Sequence, residues 1–257
     1  MRRALTTYLL ACLATSLGGC KILAGLPAKR VPNEVIVLGT EHEKHLVNQV
    51  YTLERFEEIL RAVDPAVVLC EIPPDRFGVA WQEYLRTGAV TEERVKLYPE
   101  FTRALFPIAL EGRLRIVPCS AWTKTMNTRR AAQLAQWRTT RIEDTRLVDE
   151  AQAKARRQLE QEGLDQDPLA MHSARFDEIV AAGMEPYERL FGRDLGEGGW
   201  KQINEGHYAL ISEALDEIGG EGKRVLVVFG AWHGYRLREL LAGREDIVLR
   251  RLGEVLR

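Results

Sequence analysis

The chain has 257 residues, 46% of them hydrophobic and 28% charged, with a formal net charge of −1. That length fits one large domain or two small ones, and the composition excludes wholesale disorder. The near-zero charge balance gives no electrostatic footing for a nucleic-acid partner.

The first residues stand apart from the rest. Arg2 and Arg3 precede an apolar stretch, Ala4 to Leu17, that is too short to span a bilayer. Together they have the charged and apolar regions of a secretory signal. The stretch closes on Leu17-Gly18-Gly19-Cys20, which resembles the bacterial lipobox. The resemblance implies a signal peptide over 1–19, cleavage before Cys20 and a membrane-anchoring lipid on that residue. Lys21 follows where Asp would signal retention, and by resemblance to Gram-negative lipoproteins this implies the periplasmic side of the outer membrane. Residues 20–33 carry two prolines and no periodicity and read as a tether, leaving 34–257 as one α/β domain.

The domain opens on Val35 to Leu38, a continuous apolar run of the kind buried on both faces in a parallel sheet. Gly39-Thr40-Glu41-His42 follows. Thr52 caps a predicted helix to Val63, with Leu53, Phe56, Leu60 and Val63 on one face and Asp64-Pro65 as the stop. Ala66 to Cys70 is a second strand ending on Glu71, so the pair reads as a parallel βαβ unit. Helices are expected over Asp75–Arg86 and Thr91–Glu111, and a third strand over Arg115–Pro118. The charged stretch from Met126 to Gly163 reads as a solvated helical face or a long exposed hairpin, within a helical insertion of about 123–218. Helices over Pro168–Leu190 and Trp200–Ile218 complete that insertion. A fourth strand, Val225–Phe229, precedes Gly230-Ala231-Trp232-His233, a helix Tyr235–Leu241 and a last strand Ile247–Leu252. The predicted fold is α/β: a central, mostly parallel sheet from two βα halves with a large helical insertion between them. Cys70 and Cys119 lie in apolar runs, where free thiols are the expected state.

Gly39 and His42 recur as Gly230 and His233, at the same offset behind an apolar run. Each half thus delivers a histidine to the carboxyl end of a strand, where open α/β sheets bind ligands. Glu71 ends a third strand. Two imidazoles and a carboxylate suit a divalent metal or a general acid/base pair. Glu41 and Glu43 flank His42 as candidate bases. The run His42-Glu43-Lys44-His45 is one residue short of HExxH, so the zincin geometry is excluded; His45 either joins the site from a loop or is exposed. Asn204 and His207 extend the apolar stripe of the Trp200 helix, and they either satisfy each other or line a pocket beneath the strand ends. His172, in a polar stretch, is expected at the surface. The sequence has no GxSxG elbow, phosphate-binding loop, GxGxxG or CxxC.

A strand ending in GTxH, a strand ending in Glu, a helical middle and a late strand ending in GAxH resemble the TIKI/TraB/PrgY/GumN family, of the wider erythromycin esterase and ChaN-like group. The matching segments are Gly39–His42, Val67–Glu71 and Val225–His233 with Leu237 and Leu240-Leu241. The resemblance implies a metal-dependent, peptidase-like hydrolase. Its site would be His42, Glu71 and His233, its usual metal manganese or cobalt, and its substrate a peptide or small molecule; zinc is the other divalent ion expected for this donor set. That family carries an Arg-Asn pair before the last strand; here the segment is Ile203-Asn204-Glu205-Gly206-His207, without the Arg. The alternatives are a ChaN-like lipoprotein binding haem or another iron-containing ligand, and a non-catalytic envelope interaction module.

Overall fold

The computed structural model describes residues 31–112 and 114–256. The signal peptide, Cys20 and all of the tether before Val31 lie outside these residues. Five strands form one sheet: β1 (Asn33–Thr40), β2 (Val67–Cys70), β3 (Arg115–Pro118), β4 (Arg224–Gly230) and β5 (Ile247–Arg250). Their order is β3-β2-β4-β1-β5, and every pairing is parallel. The α/β prediction holds, with all five strands parallel.

The apolar runs form central strands because both faces are covered. Ile36, Leu38, Val68, Cys70, Leu226 and Val228 point to one side. They pack on α1 (Leu53–Val63), through Phe56, Ile59, Leu60 and Val63, and on Phe176, Ile179 and Val180 of α6 (Ala174–Tyr187). Val35, Val37, Val67, Leu69, Val225, Val227 and Phe229 point the other way. There they meet Ile211, Ala214, Leu215 and Ile218 of α8 (Trp200–Ile218), and Leu237 and Leu241 of α9 (Gly234–Leu241). Thr52 caps α1 as expected, its Oγ1 accepting from Arg55 N–H at 3.2 Å. Asp64, in the left-handed region at φ 45°, closes that helix ahead of Pro65.

From β1 the chain crosses through α1 to β2 on one side; from β4 it crosses through α9 to β5 on the other. The two helices cover opposite faces, as crossovers of one hand leaving in opposite directions must. The carboxyl ends of β1 and β4, paired as far as Thr40 and Gly230, therefore sit where the chain directions diverge. Such a divergence opens a crevice at the sheet edge.

The helix expected over 91–111 is broken. A 3₁₀ turn (Val95–Leu97), a π turn (Glu100–Leu105) and α3 (Phe106–Leu110) replace it. Pro99 and Pro107 lack the N–H groups that a continuous helix needs there. α2 (Pro74–Thr87) is as expected. The charged stretch becomes two helices, α4 (Lys124–Thr140) and α5 (Ile142–Gln161). α4 buries only Trp137, whereas α5 buries Val148, Ala155 and Leu159 and packs along α6. α7 (Arg193–Leu195) leads into α8, and α10 (Leu252–Val255) follows β5. Helix α6 starts at Ala174 rather than Pro168, capped by Ser173, whose Oγ accepts from Phe176 N–H. Cys70 and Cys119 are buried free thiols, and no helix among the described residues is long and apolar enough to cross a membrane.

Candidate metal centre

The two strand ends interlock through their glycines. A Cβ on Gly39 would lie 2.8 Å from the Cα of Ala231, and a Cβ on Gly230 would lie 2.8 Å from His42 Nε2. Each glycine makes room for the loop that follows the other strand. His42 itself sits at φ 53°, a conformation uncommon for a residue with a side chain. Holding it there turns the imidazole back over the end of β4.

Glu71, one residue past β2, is 3% exposed. Its backbone N–H donates to Val228 O, and its Oε2 accepts from Gly230 N–H at 2.7 Å. His42 Nε2 is 3.5 Å from that same Oε2, and His233 Nε2 is 3.9 Å from Oε1. One carboxylate thus faces an imidazole at each oxygen. The structure brings together His42, Glu71 and His233, from the ends of three strands.

The far nitrogen of each imidazole is anchored. His42 Nδ1 lies 2.7 Å from Glu100 Oε1, which also accepts from Thr40 Oγ1 at 3.1 Å. His233 Nδ1 lies 2.9 Å from Asn204 Oδ1, whose amide nitrogen donates to Trp200 O at 2.7 Å. Because Oδ1 can only accept, His233 carries its hydrogen on Nδ1 and presents a lone pair at Nε2. His42 does the same when neutral. A carboxylate or carbonyl behind each imidazole is the arrangement that orients metal-binding histidines, while His42 stands outside the three-residue group whose ligand atoms all lie within 4.8 Å of one another.

His207 completes the cluster. One nitrogen each from His207 and His233 and one oxygen of Glu71 lie within 4.8 Å of one another. His207 is fully buried; its Nδ1 accepts from Ala121 N–H at 2.9 Å and its Nε2 makes no hydrogen bond within the protein. Its ring meets that of His233 edge-on at 5.1 Å, and Trp200 stacks on His233 at 4.6 Å.

Burial pushes the His207 imidazole down to about 3. His233 is driven well below its usual value by burial, with the charges of His207 and His42 adding. Burial acts the same way on His42, but the charge and hydrogen bond of Glu100, then the charge of Glu71, outweigh it and raise its pKa. In the metal-free protein, then, His42 is the histidine of this cluster that holds a proton most readily.

The centre opens into a cleft of about 420 Å³. Leu159, Met171, Phe176, Trp200 and Trp232 form its apolar walls, and Glu41, Lys44, Arg156, Glu160 and Asp165 line it with charge of both signs. Glu41 accepts from Asn48 Nδ2 at 2.5 Å, and burial raises its pKa.

Three residues lie elsewhere than expected. His45 is buried and internally satisfied: its Nε2 accepts from Glu41 N–H at 3.1 Å and its Nδ1 donates to Tyr51 O at 2.8 Å. It supports the loop and has no nitrogen left for a metal. His172 is not a surface residue. Its Nε2 accepts from Gly39 N–H at 3.1 Å and its Nδ1 donates to Pro168 O, which pins the insertion to the end of β1. Glu43 is exposed and is not among the residues that line the cleft. The residue that sequence reasoning missed is Glu100, fully buried at the start of the π turn. Its local signal is only that it stands four residues before the buried Ala104; its contact with His42, 58 positions away, leaves no trace in the sequence.

Fold and site define an α/β protein with a buried carboxylate–histidine group able to hold a metal ion. The chain matches no protein-family model, no curated protein and no solved structure.

Proposed function

We propose that this protein is a metal-dependent hydrolase of the TIKI/TraB-like kind, lipid-anchored through Cys20 on the periplasmic side of the outer membrane. The observation that carries the reading is the pairing of His42 Nε2 and His233 Nε2 with the two oxygens of Glu71, each imidazole anchored at Nδ1 by a buried acceptor. His42, Glu71 and His233 would hold the ion, which is manganese, cobalt or zinc. Bound there, a divalent ion supplies an activated water at neutral pH and polarises a carbonyl oxygen.

The chain's own residues provide the rest. Glu100 and Asn204 fix the imidazole planes. Glu41, lining the cleft with a raised pKa, is suited to take a proton from water and return it to a leaving group. Leu159, Met171, Phe176 and Trp232 exclude solvent and receive the apolar part of a peptide or small-molecule substrate. Elemental analysis of the purified protein tests the reading. About one equivalent of a transition metal is expected, lost with a chelator and absent from Glu71→Gln and His233→Ala, with no Soret band. A metal-free wild type that takes up none of the three ions would overturn it, and a Soret band would favour the haem-binding alternative.

A further inference from the structure

Among the described residues, five buried side-chain polar atoms make no hydrogen bond within the protein: Tyr98 OH, Glu100 Oε2, Asp165 Oδ1, Gln202 Oε1 and His207 Nε2. For His207 alone, a neighbour dictates where the hydrogen sits. The peptide N–H of Ala121 can only donate, and it is directed at His207 Nδ1 from 2.9 Å. Nδ1 must therefore offer a lone pair, and a neutral imidazole then carries its hydrogen on Nε2. To ligate a cation through Nε2, His207 would have to move that hydrogen to Nδ1, where it would confront the Ala121 N–H, or lose it altogether. His42 and His233 have the opposite arrangement, with acceptors behind Nδ1. The three histidines of this end of the sheet are thus of two kinds.

A buried donor without an acceptor costs stability, so its persistence in a cluster of this kind calls for a partner that arrives from outside. Nδ1 is engaged by Ala121, so Nε2 is the nitrogen His207 has left for the centre it shares with Glu71 and His233. We infer that His207 is not a metal ligand but the hydrogen-bond donor to the carbonyl oxygen of an acyl substrate bound at this centre. The inference rests on the metal-dependent reading above and gives it a substrate class: amides or esters, whose carbonyl oxygen gains negative charge when water attacks. A neutral N–H suits that task, since it strengthens its bond as charge develops and does not repel a nearby cation.

The test uses zinc as the ion and acetohydroxamate as the acyl mimic, on the whole protein. Long-range ¹H–¹⁵N NMR of histidine-labelled wild type should report the Nε2–H form of His207 both before and after zinc is added. His207→Gln keeps both polarities, with its amide oxygen toward Ala121 and its NH₂ toward the centre. It should bind zinc and acetohydroxamate within about threefold of wild type. His207→Leu should keep zinc affinity within the same range and bind acetohydroxamate about 10–100-fold more weakly, the loss typical of one hydrogen bond to a charged group. Disappearance of the Nε2–H form on adding zinc, or a hundredfold fall in zinc affinity for His207→Gln, would make His207 a ligand. Unchanged acetohydroxamate binding by His207→Leu would remove the donor role; if that variant does not fold, the wild-type spectra and His207→Gln decide. Wild type that binds no zinc defeats the metal reading and this inference with it, whereas zinc-loaded wild type with a failing His207 result defeats the inference alone.

Discussion

Replacing Gly230 by Ala separates the site from the fold. The backbone at Gly230 lies at φ −47° and ψ 134°, which any residue adopts, so the substitution adds no backbone strain. The added Cβ would fall 2.8 Å from His42 Nε2 and 3.4 Å from Glu71 Oε2. Only the first contact is intolerable, and it is with the end of a side chain. His42 must therefore swing away, and doing so breaks its 2.7 Å hydrogen bond to Glu100. A hydrogen bond to a charged group contributes about 1.5–3 kcal/mol, and Glu100 would be left buried with only Thr40 as donor. At roughly 2–4 °C per kcal/mol for a domain of this size, Tm should fall by about 5–10 °C. Metal affinity should fall by at least tenfold, because displacing a ligand costs no less than loosening its support, which is worth about 10–100-fold. Calorimetric titration with cobalt and a thermal melt read both quantities. Gly39→Ala is the control, since its Cβ would strike the Cα of Ala231, a backbone atom that cannot step aside. That variant should be the less stable of the two. Cobalt binding by Gly230→Ala equal to wild type would refute the claim that the glycine exists to admit His42.

Glu100→Gln keeps an acceptor for His42 but removes the charge that raises its pKa, so the His42 ring protons should titrate at lower pH in the metal-free variant, read by NMR. The sign for stability follows: protonated His42 stabilises the fold below its ordinary value of 6.5 and the contribution is lost as pH rises through the raised folded value, so the variant loses this stabilisation at a lower pH than wild type. His172, pushed down to about 4 mainly by burial, works in the opposite sense. Stability should decline as pH falls from 6.5 toward 4, by at most about 3 kcal/mol and less where solvent screens the ring, and His172→Gln should flatten that part of a urea-melt pH profile. Cys20→Ala should release the protein from membranes or leave it unprocessed, read by fractionation and electrophoretic mobility.

The strands were legible because burial on both faces leaves a plain signature. Val35–Leu38 and Val225–Phe229 are apolar at every position, and only parallel strands covered by helices ask for that. The convergence of His42, Glu71 and His233 at one edge followed from topology once those strands were parallel neighbours. What surrounds them was not legible. Glu100 reaches His42 across 58 positions, and it stands in a π turn that runs into α3 between Pro99 and Pro107, a conformation that periodicity alone does not foresee. His172 looked like a surface residue because its neighbours are polar, yet it satisfies the Gly39 N–H at the end of β1, where no strand partner does. The hydrogen on His207 depends on Ala121, 86 positions away, and no pattern within α8 encodes it.

The echo between the two glycine–histidine segments has a physical reading that needs no duplication. Strand register sets Thr40 opposite Gly230, so the two glycines are staggered by one residue rather than paired. Gly39 faces Ala231, which follows β4, and Gly230 faces His42, which follows β1. Neighbouring parallel strands that both turn over the same sheet edge must each clear the other's loop. A residue without a Cβ at the end of each strand provides that clearance. Three residues further on, the chain has turned back over the edge, and that is the position from which a side chain reaches the carboxylate of Glu71 at the end of β2, beside β4 and one strand beyond it from β1. Equal spacing in the sequence is then the trace of two loops solving one steric problem around one shared acid. The surroundings of the two histidines differ as this predicts: His42 is braced by a carboxylate from the turn after α2, and His233 by an amide from α8. Those braces make the two imidazoles electrostatically unlike, with His42 inclined to hold a proton and His233 to remain neutral.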